Sequence, residues 1–275
     1  MIPLISPTDR EELWHFWPDI SYPVIAVSYL SLKKRTRLYK AARDHGIKDA
    51  IGFDGTVISV LVGENWLLDH TPVQRYHHDV SQMGFDAATT HDDYTYWTNS
   101  SHYRYHRIHR LLDRARELAE CNPQYDLIGI VKGSSPAEIQ FCVDSLRDIG
   151  IAKTALPCSE LVFEKRHEDI HQYLRYCRDL GLWTWLIGLG SPHLMRRFGA
   201  DCYSSSKWCY SSTLGYRYSR DSVKQTPVPP NCYHELCRTL VEKRRPMDVI
   251  LARHNVSTLI EIGRDLREVG SNGQR

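Results

Sequence analysis

Asp126-Leu-Ile-Gly-Ile-Val131, followed by Lys132-Gly-Ser-Ser-Pro136 and then by residues 137–149, is the stretch that decides the fold. The apolar run reads as a buried strand, the glycine and serines as a tight turn, and the stretch opened by Pro136 as a helix. The same order recurs on both sides. Upstream, 23–29 predicts a buried strand and 32–45 the helix after it, while 50–53 predicts a second short strand ending at Asp54. Residues 85–90 lead into His91-Asp-Asp-Tyr94, and the spacing of Ile108, Leu111, Leu112, Ala115 and Leu118 predicts one helix over 102–120. Downstream, 152–156 predicts a strand, 170–180 a helix, 183–188 a strand and 192–198 a short helix before Gly199-Ala-Asp-Cys-Tyr203.

Repeated strand–helix alternation argues for an α/β protein with a parallel sheet, and a (β/α)8 TIM-type barrel fits the count. An open doubly wound sheet is the competitor, but the chain lacks the Gly-x-Gly-x-x-Gly fingerprint that would support it. The alternation fades over 209–230, which reads as a loop. The expected organisation is a barrel over residues 1–215 and a small C-terminal subdomain over 216–275.

With 275 residues, 42% hydrophobic and 25% charged, the chain can bury a sizeable core and is not disordered. A mean hydropathy of -0.44, with no apolar run near the ~18 residues that span a bilayer, excludes a helical membrane protein. Met1-Ile-Pro-Leu-Ile-Ser-Pro7 lacks the basic start and apolar core of a secretory signal, so a cytoplasmic chain is expected. The eight cysteines then read as thiols or metal ligands rather than a disulfide framework.

The net charge is only +2, but the charges are grouped. Lys33, Lys34, Arg35, Arg37, Lys40 and Arg43 form one basic cluster. Arg104, Arg107, Arg110, Arg114 and Arg116, interleaved with Tyr103, Tyr105 and histidines, form a second, and Lys243, Arg244 and Arg245 a third. Such stripes can hold a phosphate backbone and stack bases, or can be solvated helix faces.

Polar turns follow the predicted strands: Asp54-Gly-Thr, His91-Asp-Asp, Lys132-Gly-Ser-Ser, Gly188-Leu-Gly-Ser-Pro192 and Asp201-Cys-Tyr-Ser-Ser-Ser206. In a barrel all strand ends open on one face, where chemistry is done. An aspartate after a strand is equally a helix N-cap. Near the C-terminus, Cys232-x-His234-x-x-Cys237 is followed seventeen residues later by His254. Two thiolates and two imidazoles make a closed tetrahedral shell for a structural Zn2+. One or two buried cysteines with surface histidines is the plainer alternative.

Taken together, these motifs resemble the tRNA-guanine transglycosylase superfamily, and most nearly the DNA 7-deazaguanine transglycosylases of phages and bacterial modification clusters. The resemblance spans roughly 24–269. Leu186-Ile-Gly-Leu-Gly-Ser-Pro192 with Phe198-Gly-Ala-Asp201 and Ser204-Ser205-Ser206 is similar to the family's Gly-x-Gly-x-Pro turn and Gly-x-Asp-x-Phe-Asp-Ser motif. Gly129-Ile-Val-Lys-Gly-Ser134 resembles its Gly-x-Val-Gln-Gly-Ser strand end, Asp92-Asp93 its base-reading Asp-Glu pair, and Asp54-Gly55 its Asp-Ser-Gly motif. The cysteine and histidine spacing, with His254-Asn255-Val256, resembles the family's zinc site, His234 standing for one cysteine.

The resemblance implies exchange of guanine in DNA for a 7-deazaguanine base such as 7-cyano-7-deazaguanine, with DNA and the free base as partners and Zn2+ as a structural cofactor. The guanine must leave the duplex stack or be single-stranded. Breaking an N-glycosidic bond through an oxocarbenium-like state needs a carboxylate beneath the sugar and an acid at the departing base. Asp54 would be the acid/base, and Asp92 would read the guanine edge, with Asp93, Lys132, Gly133 and Tyr203 around the base. Trp208 is a second candidate for sandwiching the purine, whereas Trp183 and Trp185 read as packing. The family's nucleophilic aspartate is Ser204 here, and its glutamine is Lys132. Asp201 could supply the missing carboxylate, although strand alternation sets 201 and 204 on opposite faces. A different class, a non-catalytic zinc-bearing nucleic-acid-binding subunit, is the competing expectation, and a tRNA-guanine transglycosylase a third. Oligomeric state, a homodimer included, is left open.

Overall fold

The computed structural model describes residues 2–5, 24–52, 55–63, 70–93, 100–205, 207–219, 223–225 and 247–272. The elements run β1 (Ile2–Ile5), β2 (Val24–Ser28), α1 (Tyr29–Lys34), α2 (Thr36–His45), α3 (Ile47–Ile51), β3 (Ile58–Val62), α4 (Val73–Gln82), β4 (Ala87–Thr89), α5 (Ser101–Glu120), β5 (Asp126–Ile130) and α6 (Pro136–Asp148). Then come β6 (Lys153–Pro157), α7 (Ser159–Phe163), α8 (His167–Asp179), β7 (Trp183–Ile187), α9 (Pro192–Phe198), β8 (Cys202–Ser205), α10 (Lys207–Thr213), β9 (Tyr216–Tyr218), β10 (Val223–Gln225) and α11 (Met247–Asn272).

Strands β1 to β8 close into a barrel, each bonded in parallel to its neighbours in chain order. This is an α/β barrel compatible with the TIM type. The seam is uneven: β1 pairs with β8 from Ile2↔Cys202 to Ile5↔Ser205, but with β2 only at Ile5↔Ile25.

Period-two alternation sorts the strand residues into two cores. Val24, Ala26, Val60, Ala87, Ile128, Ile130, Ala155, Trp185 and Cys202 fill the interior. Ile25, Val27, Leu61, Ala88, Val131, Leu156, Leu186 and Tyr203 face outward, against the helix layer. Gly129 is on that outer side because α6 lies so close: a Cβ there would come within 2.7 Å of Leu146.

Three local expectations are corrected. Ala50 and Ile51, expected to open a strand, end α3 instead, and the strand is Ile58–Val62. The helix expected over 32–45 is broken at Arg35 into α1 and α2. Within 209–230, the described residues form the end of α10 and an antiparallel β9–β10 pair. The expected 216–275 subdomain is seen only in part: α11 packs on β1, β9 and α10, and Val249, Ala252, Val256 and Ile262 join the barrel's outer core.

At the N-terminal ends of the strands, two side-chain latches repeat four strands apart. Asp86, just before β4, accepts from the Ser59 backbone N–H (2.7 Å) and hydroxyl (2.9 Å). Asp201, just before β8, accepts from the Thr184 backbone N–H (2.8 Å) and hydroxyl (2.8 Å). Each satisfies the strand-start polar groups of the preceding strand.

Candidate functional site

At the other end of the barrel, β4 runs into His91-Asp92-Asp93, three buried polar residues in a row. The outer two are held fast. His91 Nε2 donates to the Thr71 carbonyl (3.1 Å), and burial pushes its pKa down to about 4, so the ring is neutral at physiological pH. Asp93 takes a two-pronged hydrogen bond from the Arg107 guanidinium of α5. Between them, Asp92 Oδ1 faces the Lys132 ammonium at 2.8 Å and accepts from the Asp93 backbone N–H at 2.7 Å. Burial raises the Asp92 pKa and outweighs the pull of Lys132 and of that N–H, with the Asp93 charge adding to the rise. The Asp92–Lys132 pair is therefore a carboxylate and an ammonium set side by side out of bulk water, where each bond to a ligand is worth more.

Lys132 reaches this position because it continues the inward alternation of Ile128 and Ile130 past the end of β5. The loop after it is braced. Glu138, in the first turn of α6, accepts from the Ser134 backbone N–H (2.6 Å) and hydroxyl (3.0 Å) and is paired with Arg104 (3.0 Å). Arg166 donates to the Ser134 carbonyl at 2.6 Å. Gly133 is required by close approach, since a Cβ would meet the Ile139 nitrogen at 2.7 Å.

Beside this loop lies a hollow open to solvent, whose lining includes Lys132, Gly133, Ser134, Pro157, Glu160 and Arg166. Partial burial raises the Glu160 pKa, with Glu164 and Asp92 adding to it against Lys132. Two buried thiols flank the mouth: Cys142 accepts from the Lys132 N–H (3.5 Å) and Cys158 donates to the Ile187 carbonyl (3.2 Å). Burial pushes both to about 12, so neither is a thiolate nucleophile at neutral pH.

Of the remaining expected site residues, Asp201, Tyr203 and Trp208 do not converge here. Asp54 lies outside the described residues, but Gly52 closes α3 and Gly55 precedes β3, at the N-terminal end of the barrel. There the Gly55 carbonyl accepts from Lys48, which also pairs with Asp86. The chain on both sides of residue 54 is thus at the end opposite to Asp92. Reading 50–53 as a strand puts its end at the mouth, whereas the turn that follows α3 is at the bottom, as a turn after a helix is in a barrel. Asp201 is corrected because it follows α9 and precedes β8, at the bottom of the barrel, where its carboxylate is latched to Thr184 at the start of β7. Ser204 does lie inside, near the C-terminal end of β8, where its Oγ accepts from the Trp185 indole N–H at 2.9 Å. Tyr203 points the other way, into the helix layer, and its hydroxyl accepts from the Ala200 N–H at 2.7 Å. Trp208 is likewise wholly buried in the outer core, so neither ring stands at the mouth.

Of the expected zinc ligands, Cys232, His234 and Cys237 lie outside the described residues. His254 is on α11, buried, with Nε2 donating to the Tyr218 carbonyl at 2.9 Å. That bond fixes the ring's proton on Nε2, so only Nδ1 could take a metal, an arrangement usual for a ligating histidine. Among the described residues no group of three or more His, Cys, Asp or Glu side chains is placed to hold a metal ion. Neighbouring Asn255 has a clear structural job, bonding the Tyr218 N–H (2.7 Å) and the Tyr216 carbonyl (3.0 Å).

Sequence reasoning missed Glu160, Glu138 and Arg166, and read Arg104 as part of a basic stripe rather than as the partner of Glu138. The available signal for Glu160 was its place three residues after Pro157, at the end of a strand. No protein-family model matches this chain, and no curated protein matches it either.

Proposed function

We propose that this protein reads a guanine-type nucleobase at the C-terminal mouth of its barrel. The observation that carries the reading is the Asp92–Lys132 pair, 2.8 Å apart above the β4 and β5 ends. Guanine presents two N–H donors beside a carbonyl acceptor, and a carboxylate beside an ammonium is the complementary edge. The motif resemblance supports the rest of the reading, exchange of guanine in DNA for a 7-deazaguanine such as 7-cyano-7-deazaguanine. In that reaction Glu160, whose carboxyl holds its proton more tightly than usual and lines the same hollow, takes the acid role expected of Asp54. The Cys232, His234, Cys237 and His254 donor set suits a structural Zn2+, which would tie the chain around 232–237 to α11 and take no part in bond breaking.

One observation favours a second reading, a zinc-bearing nucleic-acid-binding subunit without turnover. Ser204 already accepts the Trp185 N–H, and a hydroxyl without an activating base is a poor trap for a cationic sugar. Calorimetric titration with free guanine tests the common core of both: binding is expected, and loss of that binding in Asp92→Asn. No heat from guanine or any 7-deazaguanine would end the proposal. Release of labelled guanine from DNA then separates enzyme from binder.

A further inference from the structure

Helices α1, α4 and α5 follow β2, β3 and β4, three strands bonded side by side, so their first turns form one arc of the barrel's mouth. That arc is strongly cationic. From Val24 to Arg37 the chain carries Lys33, Lys34, Arg35 and Arg37 and no carboxylate, while Lys40 and Arg43 continue down α2, Arg43 reaching Gln82 at the far end of α4. Lys34, Arg37 and Lys40 are exposed. On α4, Arg75 sits close enough to Lys33 that, after partial burial, its charge lowers the lysine's pKa. The nearby carboxylate, Asp79, is buried and accepts hydrogen bonds from Tyr29 (2.6 Å) and Tyr39 (2.9 Å). Residues 101–112 of α5 also contain no acid, and expose His102, Tyr103, Tyr105 and His106. Across the mouth, by contrast, α7 and the turn after it offer Glu160 and Glu164.

Exposed like charges gathered on one face, here Lys34 and Arg37 beside the Lys33–Arg75 contact, repel one another, and their natural counterion is a row of phosphates. Resting on the base-binding reading above, we propose that the α1–α4–α5 arc holds the sugar–phosphate backbone of a single DNA strand whose base enters the mouth, with Tyr103 and Tyr105 stacking on a flanking base. The acidic α7 side leaves the strand one direction of approach.

Fluorescence anisotropy of the full chain with a labelled single-stranded 20-nucleotide DNA, across a salt series, tests this. The double variant Lys34→Glu/Arg37→Glu, at exposed positions, is expected to weaken binding at least tenfold and flatten the salt dependence, with guanine affinity unchanged. Lys34→Gln/Arg37→Gln should fall between, guarding against misfolding of the reversed-charge variant. Unchanged DNA affinity in both variants with guanine binding intact overturns the arc. So does an unmodified chain that binds vesicles of phosphatidylserine and phosphatidylcholine but not DNA. Charge-sensitive DNA binding without any guanine binding would instead overturn the base-reading proposal and leave the arc standing.

Discussion

The two ends of the barrel use the same residue, aspartate, for opposite purposes. At the N-terminal end, Asp86 and Asp201 each spend their carboxylate on a backbone N–H and a hydroxyl of the preceding strand. Partial burial alone would raise the pKa of Asp86, but the bonds from Ser59 and Lys48 outweigh it and hold the group below the usual carboxylate range. At the C-terminal end, Asp92 is raised by burial despite Lys132. A carboxylate whose environment favours its charge is a structural clamp; one whose environment opposes its charge is, on the base-reading proposal, held ready for a ligand. In this barrel, position along the strand separates the two.

The largest effect that could break this contrast is on binding. Asp92→Asn should weaken guanine about a hundredfold, since a charged hydrogen bond contributes roughly 1.5–3 kcal/mol. Asp201→Asn should leave guanine affinity alone. Equal losses in calorimetry would mean the ends are not functionally distinct. Next in size, Asp201→Ala should lower unfolding free energy by about 2 kcal/mol, because it orphans the Thr184 N–H and hydroxyl. Urea denaturation reads this directly, and a midpoint matching the unmodified chain would remove the clamp from the account. Gly133→Ala should cost at least about 1 kcal/mol and weaken guanine binding, since the new methyl must push the loop off Ile139. Full affinity in that variant would show that the loop does not hold Lys132.

The smallest effect lies in the pH profile, where the two ends should slope in opposite directions. For Asp86 the folded pKa lies below the ordinary 3.8, so its stabilisation is complete above 3.8 and is lost as pH falls through the folded value. For Asp92 the folded pKa lies above 3.8, so the folded state is favoured below 3.8 and loses that advantage as pH rises toward the folded value. Melting temperatures of Asp86→Asn and Asp92→Asn, each subtracted from the parent between pH 3 and 7, should therefore diverge with opposite sign. Parallel curves would contradict the assignment.

Much of the barrel was legible because helix and strand periods differ. The spacing of Ile108, Leu111, Leu112, Ala115 and Leu118 marked α5, and 126–131 and 183–188 marked β5 and β7 nearly to the residue. β1 was not recognised, being four residues with prolines close by, and β3 was displaced because Ala50-Ile-Gly-Phe53 mimics a short apolar strand. That one displacement put the turn after α3 at the mouth, whereas Gly52 and Gly55 lie at the N-terminal end of the barrel. That Asp92 and Lys132 share the mouth was legible because polar residues just past a correctly placed strand lie at the same end of the barrel. Glu160 was missed because its environment is made by Lys132, Asp92 and Glu164, which only the tertiary fold brings near.

The uneven seam has a consequence during synthesis. Strand β1 emerges from the ribosome early, yet its extensive pairing is with β8, about 200 residues later, and its contact with β2 is a single register pair. At roughly 5–20 residues per second, ~10–40 s of elongation separate the two partners. Until then the nascent half-ring presents open edges at both sides, which makes its last strand the event that commits the chain to a closed native state.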